Sequence, residues 1–382
     1  MSPNPRPPTP PQNPNYGVRM SPESIRSIMH EALQGLDRVY IDPLPPLRSF
    51  NNRIYFLKAF CYQLNAQQDD AVLECQDYVL KINGRGFGAD KIQNEVSCLR
   101  LLEAYCPEIP VPRAVAWSQD GSTAEIINTG RATTKSLDLK PMDGTLEGWV
   151  LMTRASGEPV DLVNINKKTK TSLATELADI VTNWRQNVPL QMHGGNLRFL
   201  EGDYKHSRPD ITLPNPARAT TDNLVIRDIA APIRSFIEDV LPSMAILKTG
   251  PDVFLFTHYD LSPRNVLVSG TLPQITGIVD FEFSGFFPPL DEFLNDNVGN
   301  NGDWPKDMYE VYLERLEDNG VPTPLKSISQ GHWEKALLLE KLLEGIAPWW
   351  LLGNCSGEEG DQQLNKTKAQ VWECLQRLCP QD

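Results

Sequence analysis

The segments FTHYDLSPRNVLVSG (residues 256–270) and TGIVDFEFSG (276–285) carry side chains that could do chemistry together: His258, Asp260, Asn265 and Asp280. A carboxylate such as Asp260 can orient and deprotonate a hydroxyl group. Asn265 and Asp280 offer an amide and a carboxylate oxygen, hard donors that suit magnesium. Phosphoryl transfer needs this equipment: one carboxylate for the attacking hydroxyl, and an amide with a second carboxylate to hold magnesium against the phosphates. Upstream, Lys81 ends the run YVLK and Glu95 lies within IQNEVSCL. Each residue also has a plainer reading. Asp260 could be a turn or cap acid, Asn265 a cap, and Asp280 a strand-end acid without a task. Their shared order outweighs any single member.

The elements that must position these residues follow from periodicity. Residues 1–20, MSPNPRPPTPPQNPNYGVRM, are dense in proline and polar groups and are expected to form an extended, disordered tail. Ser21-Pro22 caps a helix whose apolar positions run Ile25, Ile28, Met29, Ala32, Leu33 and Leu36. From Ser49, SFNNRIYFLKAFCYQL and AVLECQDYVLKIN read as two strands joined by the polar turn QQDD at 67–70. A helix follows from about Asp90 to Tyr105, with Ile92, Val96, Leu99 and Leu102 on one face. Glu95 shares that inward face, where a carboxylate needs a cationic partner or water. PEIPVP at 107–112 breaks the helix, and further strands include WVLMTR at 149–154. After Gly157 the pattern turns helical, over 169–186, 222–246, 305–319 and 330–352, with a surface loop at 193–220. The division expected is an N-terminal nucleotide-binding lobe over 21–155 and a catalytic, substrate-binding lobe over 156–382.

A rival motif lies in KINGRGFGAD, where Gly84, Gly86 and Ala89 fit a dinucleotide fingerprint between a strand and a helix. That reading wants an acid about twenty positions on, at the end of a second strand. Glu103 falls inside the helix and Glu108 precedes the next strand, so a turn between Lys81 and the Glu95 helix is the better reading.

Composition narrows the field. With 382 residues the chain suits two lobes, and 40% hydrophobic against 22% charged residues suits a globular protein with a core. Forty-nine acids against 36 bases give a net charge of −13, which disfavours nucleic-acid backbones and leaves room for a cationic small substrate or simple solubility. Seven scattered cysteines without a Cys-x-x-Cys pair point to reduced thiols, and five histidines without His-x-x-x-His spacing disfavour zinc. No stretch approaches twenty consecutive apolar residues, so no membrane partner is expected and a cytoplasmic location is. Trp349 and Trp350 could meet an amine through cation–π contact, but core packing is the commoner fate of such a pair.

The spacing H-x-D-L-x-x-x-N, followed by an apolar run, a turn and a strand ending at Asp280, is that of a kinase catalytic loop. From about Ser49 to Phe293 the sequence resembles the aminoglycoside phosphotransferase and choline kinase-like families. THYDLSPRNVLV with ITGIVDFEFSGFFPP is especially similar to fungal-type proteins with an aminoglycoside phosphotransferase domain, and DFEFS resembles choline and ethanolamine kinases. The resemblance implies an α+β, bilobal protein kinase-like fold. An N-terminal antiparallel sheet lobe with one long helix would face a mainly helical C-terminal lobe across a cleft. It implies an ATP- and Mg²⁺-dependent transfer of the γ-phosphate to a hydroxyl of a small molecule, read as an amine-bearing one (aminoglycoside- or choline-like, or a secondary metabolite), with a natural product or metabolite without an amine as an alternative. By the same resemblance Asn51 and Asn52 lie in the strand–turn–strand that covers the phosphates, where protein kinases have glycines. Lys81 meets the α- and β-phosphates with Glu95 as its helix partner, and the backbone of Met152, Thr153 and Arg154 meets adenine. His258 braces the loop, Asp260 is the base, Asn265 and Asp280 hold the metal, and Glu282 assists the metal or the substrate amine.

Departures bear on substrate. Tyr259 and Ser262 replace the arginine and lysine of the protein-kinase loop, and no Ala-Pro-Glu segment follows Asp280. Both disfavour a protein substrate with an activation-loop switch. PLDEF at 289–293 stands where related sequences carry an aromatic pair before the acid, which leaves Asp291 without an assigned role. The rival from another class is a pseudokinase that binds nucleotide or a partner without turnover. The sequence does not choose the acceptor, ATP over GTP, or an oligomeric state.

Overall fold

Ser21 accepts a hydrogen bond from the Ser24 N–H and Pro22 occupies the first turn, so helix α1 (Pro22–Ala32) starts where its cap dictates. Its buried positions Ile25, Ile28 and Met29 keep helical spacing. The helix stops earlier than that spacing suggests. Leu33 is extended, Gly35 adopts φ +69°, and Leu36 opens strand β1 (Leu36–Pro43) instead of closing the helix. A side chain at Gly35 would collide with the Tyr62 carbonyl, so the turn requires glycine there. The structure, a computed structural model, describes residues 14–45, 49–64, 71–85, 87–128, 131–139, 147–191, 197–200, 203–206, 224–244, 253–270, 274–289, 291–294, 304–326, 329–346 and 358–379. Residues 1–13, Gly86, Trp349 and Trp350 and most of the 193–220 loop lie outside that set.

Strands β2 (Asn52–Leu64) and β3 (Ala71–Asn83) pair antiparallel over their whole length, with Ile54 opposite Lys81. After helix α2 (Asp90–Tyr105) come β4 (Ala114–Ser118), β5 (Thr123–Asn128), β6 (Arg131–Ser136) and β7 (Trp149–Thr153). These strands make a seven-stranded antiparallel sheet in the order β1-β2-β3-β7-β4-β5-β6. The strands before and after α2, β3 and β4, do not pair with each other: β7 lies between them and pairs antiparallel with both, so the adjacent parallel pair that a dinucleotide fold requires is absent among the described strands. One face of the sheet, with Tyr55, Leu57, Tyr78, Leu80 and Ile82, forms a core with α1. Val18 and Met20 join this core, so these two residues of the segment expected to be a tail are packed against the sheet.

The chain divides into two units. The first comprises residues 1–165, 196–206 and 263–285. Besides the sheet it holds the short strand β8 (Glu158–Pro159) and a hairpin of β9 (Leu197–Leu200) with β10 (Asp203–His206). Further along the chain, β12 (Val266–Ser269) and β13 (Gln274–Ile278) pair with each other, and β12 pairs with β8.

The second unit comprises residues 166–195, 207–262 and 286–382. Its helices are α3 (Lys167–Asn187), α4 (Leu224–Ser235), α5 (Asp291–Leu294), α6 (Lys306–Asp318), α7 (Gln330–Ile346) and α8 (Glu358–Leu378). Helix α8 carries Val371, Cys374, Leu375 and Leu378 into a core with Ile229, Phe236 and Leu342. Its polar first half hides it from a periodicity reading. Helices α3 and α6 are joined by Arg315, whose Nε and Nη2 lie 2.7 and 3.2 Å from the Asp179 carboxylate. Strand β11 (Leu255–Thr257) pairs with β14 (Gly285–Phe287). Among the described residues no helix is long and apolar enough to cross a membrane.

Candidate active site

Alternation along β3 sends Tyr78, Leu80 and Ile82 into the α1 core and turns Lys81 to the opposite face. There its ammonium meets three carboxylates. Nζ lies 2.8 and 2.9 Å from the two oxygens of Glu95 on α2, 2.5 Å from Asp280 and 2.7 Å from Glu282. Lys81 and Glu95 are buried. The cationic partner that the inward face of α2 demanded for Glu95 is therefore Lys81.

Burial raises the Glu95 carboxyl to about 7 against the pull of Lys81. Burial also raises Asp280, with the Glu282 charge adding to it and Lys81 opposing. Glu282 goes the other way. Burial pushes it up, but the ammonium groups of Lys81 and Lys91 outweigh that and hold it at about 2.

Lys91 was not legible as a site residue. It is buried at the start of α2, with Nζ 2.9 Å from Asn52 Oδ1, 3.2 Å from Glu282 and 3.7 Å from the Phe87 ring centroid. Desolvation lowers its pKa while the charge of Glu282 opposes. Three acids thus face two lysines, and with all five ionised the cluster keeps a surplus negative charge. Asp280, the acid of this group nearest solvent, carries the least settled share.

Glu282 is fully engaged. Asn51 Nδ2 donates to Oε1 at 2.9 Å and Asn52 Nδ2 to Oε2 at 2.7 Å, while its side chain is 0% exposed. It ties the turn before β2 to the segment after β13. Asn94 on α2 holds that same segment by donating to the carbonyls of Glu282 and Ser284, at 3.0 and 2.8 Å. Neither Lys91 nor Asn94 could be found by pattern, because a polar residue in a helix ordinarily marks the solvent face.

Asn265 ends a short 3₁₀ turn (Pro263–Asn265), and its carbonyl accepts from the Val279 N–H at 3.0 Å, beside Asp280 in the chain. Asp280 adopts φ +72°, ψ +57°. Among the described residues only Asp280 and Tyr259 are non-glycine residues with positive φ, and both flank candidate chemistry. Such backbone costs about 1–3 kcal/mol and persists where surroundings enforce it.

At Met152, β7 is paired on both edges, with Val79 of β3 and Ala114 of β4. The Thr153 N–H donates to the Arg113 carbonyl at 2.9 Å and the Arg154 N–H to the Asp77 carbonyl at 3.0 Å. These two donors are already used within the unit.

The second unit holds His258 and Asp260. His258 is buried and its Nδ1 accepts from the Asp260 N–H at 3.3 Å. Tyr259 stacks on Phe287, with ring centroids 4.6 Å apart. The Leu261 carbonyl accepts from Trp304 Nε1 at 2.8 Å. Beneath the loop, the buried Glu292 accepts from the Thr257 side chain and the His258 backbone, with Arg185 Nη2 3.3 Å away. Glu292 is a third residue missed, hidden in the unassigned PLDEF.

As to metal, among the described residues no group of three or more His, Cys, Asp or Glu side chains is arranged to hold an ion. Magnesium asks for less, since it takes one or two protein oxygens with phosphates and water. Asn265 and Asp280 offer that donor set, and the incompletely balanced charge at Asp280 favours a cation.

Three solved structures resemble the chain. Aminoglycoside phosphotransferase APH(4)-Ia has a TM-score of 0.53 at 13% identity, covering 94% of this chain and 100% of its own. ADP-bound APH(2'')-Ib has 0.52 at 13%, covering 93% and 99%. The gentamicin complex of APH(2")-IIa has 0.50 at 14%, covering 96% and 98%. These likenesses carry the fold, which is the α+β, bilobal kinase-like class that the sequence led us to expect. No curated protein matches the chain in sequence. The profile described as the phosphotransferase enzyme family (APH) matches residues 29–295, well over half of the chain. The chain therefore belongs to the phosphotransferase enzyme family and is a small-molecule kinase.

Proposed function

We propose that the protein transfers the γ-phosphate of ATP to a hydroxyl group of an amine-bearing small molecule, with Asp260 as the base. ATP and a divalent metal ion are typical of the family. The observation that supports this reading most is the buried Lys81 bridging Glu95 on α2 and Asp280 after β13. In it the lysine that would offset phosphate charge touches the acid that would hold the metal.

Lys81 is oriented by Glu95, which fixes the ammonium on the sheet face away from the α1 core. Asn265 and Asp280 would hold magnesium, which would supply positive charge against the phosphates. Asp260 accepts the proton of the acceptor hydroxyl, on a loop fixed by His258, Glu292 and Trp304. Catalysis of this kind is mostly positioning and electrostatics. Residues 21–155 would serve the nucleotide, and residues 156–382 the chemistry and the acceptor. With the N–H groups of Thr153 and Arg154 engaged, adenine recognition at this strand end falls to other backbone groups near 152–155.

An amine-bearing acceptor suits the net charge of −13, and gentamicin, bound by one structural relative, is an aminoglycoside. The deciding experiment incubates the protein with ATP, magnesium and a library of amino alcohols and aminoglycosides. Mass spectrometry then seeks an added phosphate on any of them. Product that requires Asp260 supports the reading. Nucleotide binding with no product from amines, and none from a cell extract, returns the protein to the binding-module alternative.

A further inference from the structure

The turn that leads into β2 is gripped from two directions. Its side chains Asn51 and Asn52 reach inward to Glu282. Its main chain is held by a segment from far upstream, Pro14–Met20. Asn15 is 3% exposed, and its Nδ2 donates to the Ser49 carbonyl and, at 3.4 Å, to the Asn52 carbonyl. Ser49 Oγ adds a bond to that Asn52 carbonyl at 2.6 Å.

The same segment is fastened at both ends. The Pro14 carbonyl accepts from the Arg85 N–H at 2.8 Å, in the turn between β3 and α2. The Met20 N–H donates to Tyr55 Oη on β2 at 3.1 Å, and Val18 and Met20 are seated in the sheet core. Gly84 explains part of the glycine motif left over from the sequence. A Cβ there would collide with the Asn51 carbonyl and lie 2.8 Å from Pro14 Cβ, so only glycine lets strap and turn close on it.

We propose that Pro14–Met20 is a positioning strap for the phosphates of the nucleotide, acting through the bonds from Asn15 to the main chain of residues 49–52. The inference rests on the nucleotide reading given above. Its physical basis is preorganisation: a turn already fixed by main-chain bonds loses less freedom when a ligand docks under it. The strap makes no use of side chains within the proposed chemistry, so its effect belongs to binding and not to the transfer step. It should act on the phosphates and leave the nucleoside alone.

The test compares the affinities of adenosine and of Mg·AMP-PNP by isothermal titration calorimetry in the full chain. Asn15→Asp keeps the shape and removes the donor. Asn15→Ala does so without adding charge, and serves if the first variant does not fold. Arg19→Ala, exposed in the same strap, is the control. Loss of these bonds is expected to weaken Mg·AMP-PNP about five- to tenfold, leaving adenosine within about twofold and the control unchanged. Equal loss for both ligands would reduce the strap to a part of the fold, and an unaltered Mg·AMP-PNP affinity would remove its role; either overturns the proposal alone. A wild-type chain that binds neither ligand overturns the nucleotide reading and the strap with it.

Discussion

At the scale of the residue, charge arithmetic around Lys81 governs what substitutions do. Lys81→Ala takes the shared cation from three carboxylates, two of them fully buried. We expect it to cost about 3–5 kcal/mol of stability as well as ATP use, read as a lower urea midpoint. Asp260→Ala should lower the transfer rate by about 10²–10⁴-fold while thermal stability and Mg·AMP-PNP affinity stay near wild type. Retained activity would refute the assignment of the base. Glu282 has a pKa of about 2 when folded, below its ordinary 4.5. The folded state therefore binds fewer protons than the unfolded chain between those values. Its contribution to stability is full above 4.5 and is lost as the pH falls toward 2. Urea midpoints followed downward through that window should decline more steeply for wild type than for Glu282→Gln. The need of Glu95 for a cationic partner was legible from its place on α2, and Lys81 and Asp280 were singled out through the family resemblance. Their connection through Glu282 was not legible, because an acid two residues past Asp280 looks free to serve a ligand until its four donors are seen.

At the scale of the element, α2 is the part whose bounds and inward acid the sequence gives most directly: its limits match the periodicity, and Glu95 points where the apolar stripe points. The stripe understates the burial, since every residue from Lys91 to Leu99 is buried. Polar residues can line such a helix only where partners wait for them. For Asn94 those partners are two backbone carbonyls of the 281–284 turn. Asn94→Ala leaves both without this donor and should cost about 1–3 kcal/mol in chemical denaturation, with the larger loss in the first unit's fluorescence signal. A neutral outcome would mean water replaces the amide. Strand β1 escaped notice for the opposite reason. Leu33 and Leu36 extend the helical stripe of α1, and the stop lay in Gly35, a single residue whose positive φ a periodicity count does not see.

At the scale of the whole molecule, the first unit is assembled from separated stretches of chain, residues 1–165, 196–206 and 263–285. The sheet alone does not complete it. Lys81 needs Asp280 and Glu282, α2 needs the 281–284 turn, and β8 needs β12. A fragment of residues 1–165 should therefore lack a sharp cooperative unfolding transition by circular dichroism, despite holding all seven strands of the main sheet. A cooperative transition for that fragment would show that the late segment adds function without adding to the fold. The net charge of −13 bears on the acceptor at this scale too. If the acceptor is a cation, its KM should rise with ionic strength as screening weakens long-range attraction, whereas the KM of a neutral acceptor should not.

The late arrival of residues 263–285 has a consequence for biosynthesis. A ribosome releases the sheet and α2 early, then must make about 120 further residues before the last piece of that unit emerges. At typical elongation rates this takes on the order of ten seconds. Through that interval Lys91, Asn94 and Glu95 have only part of their final company, so the nascent chain waits with a polar seam open. A chaperone suited to this protein would be one that shelters such a seam until translation has passed residue 285.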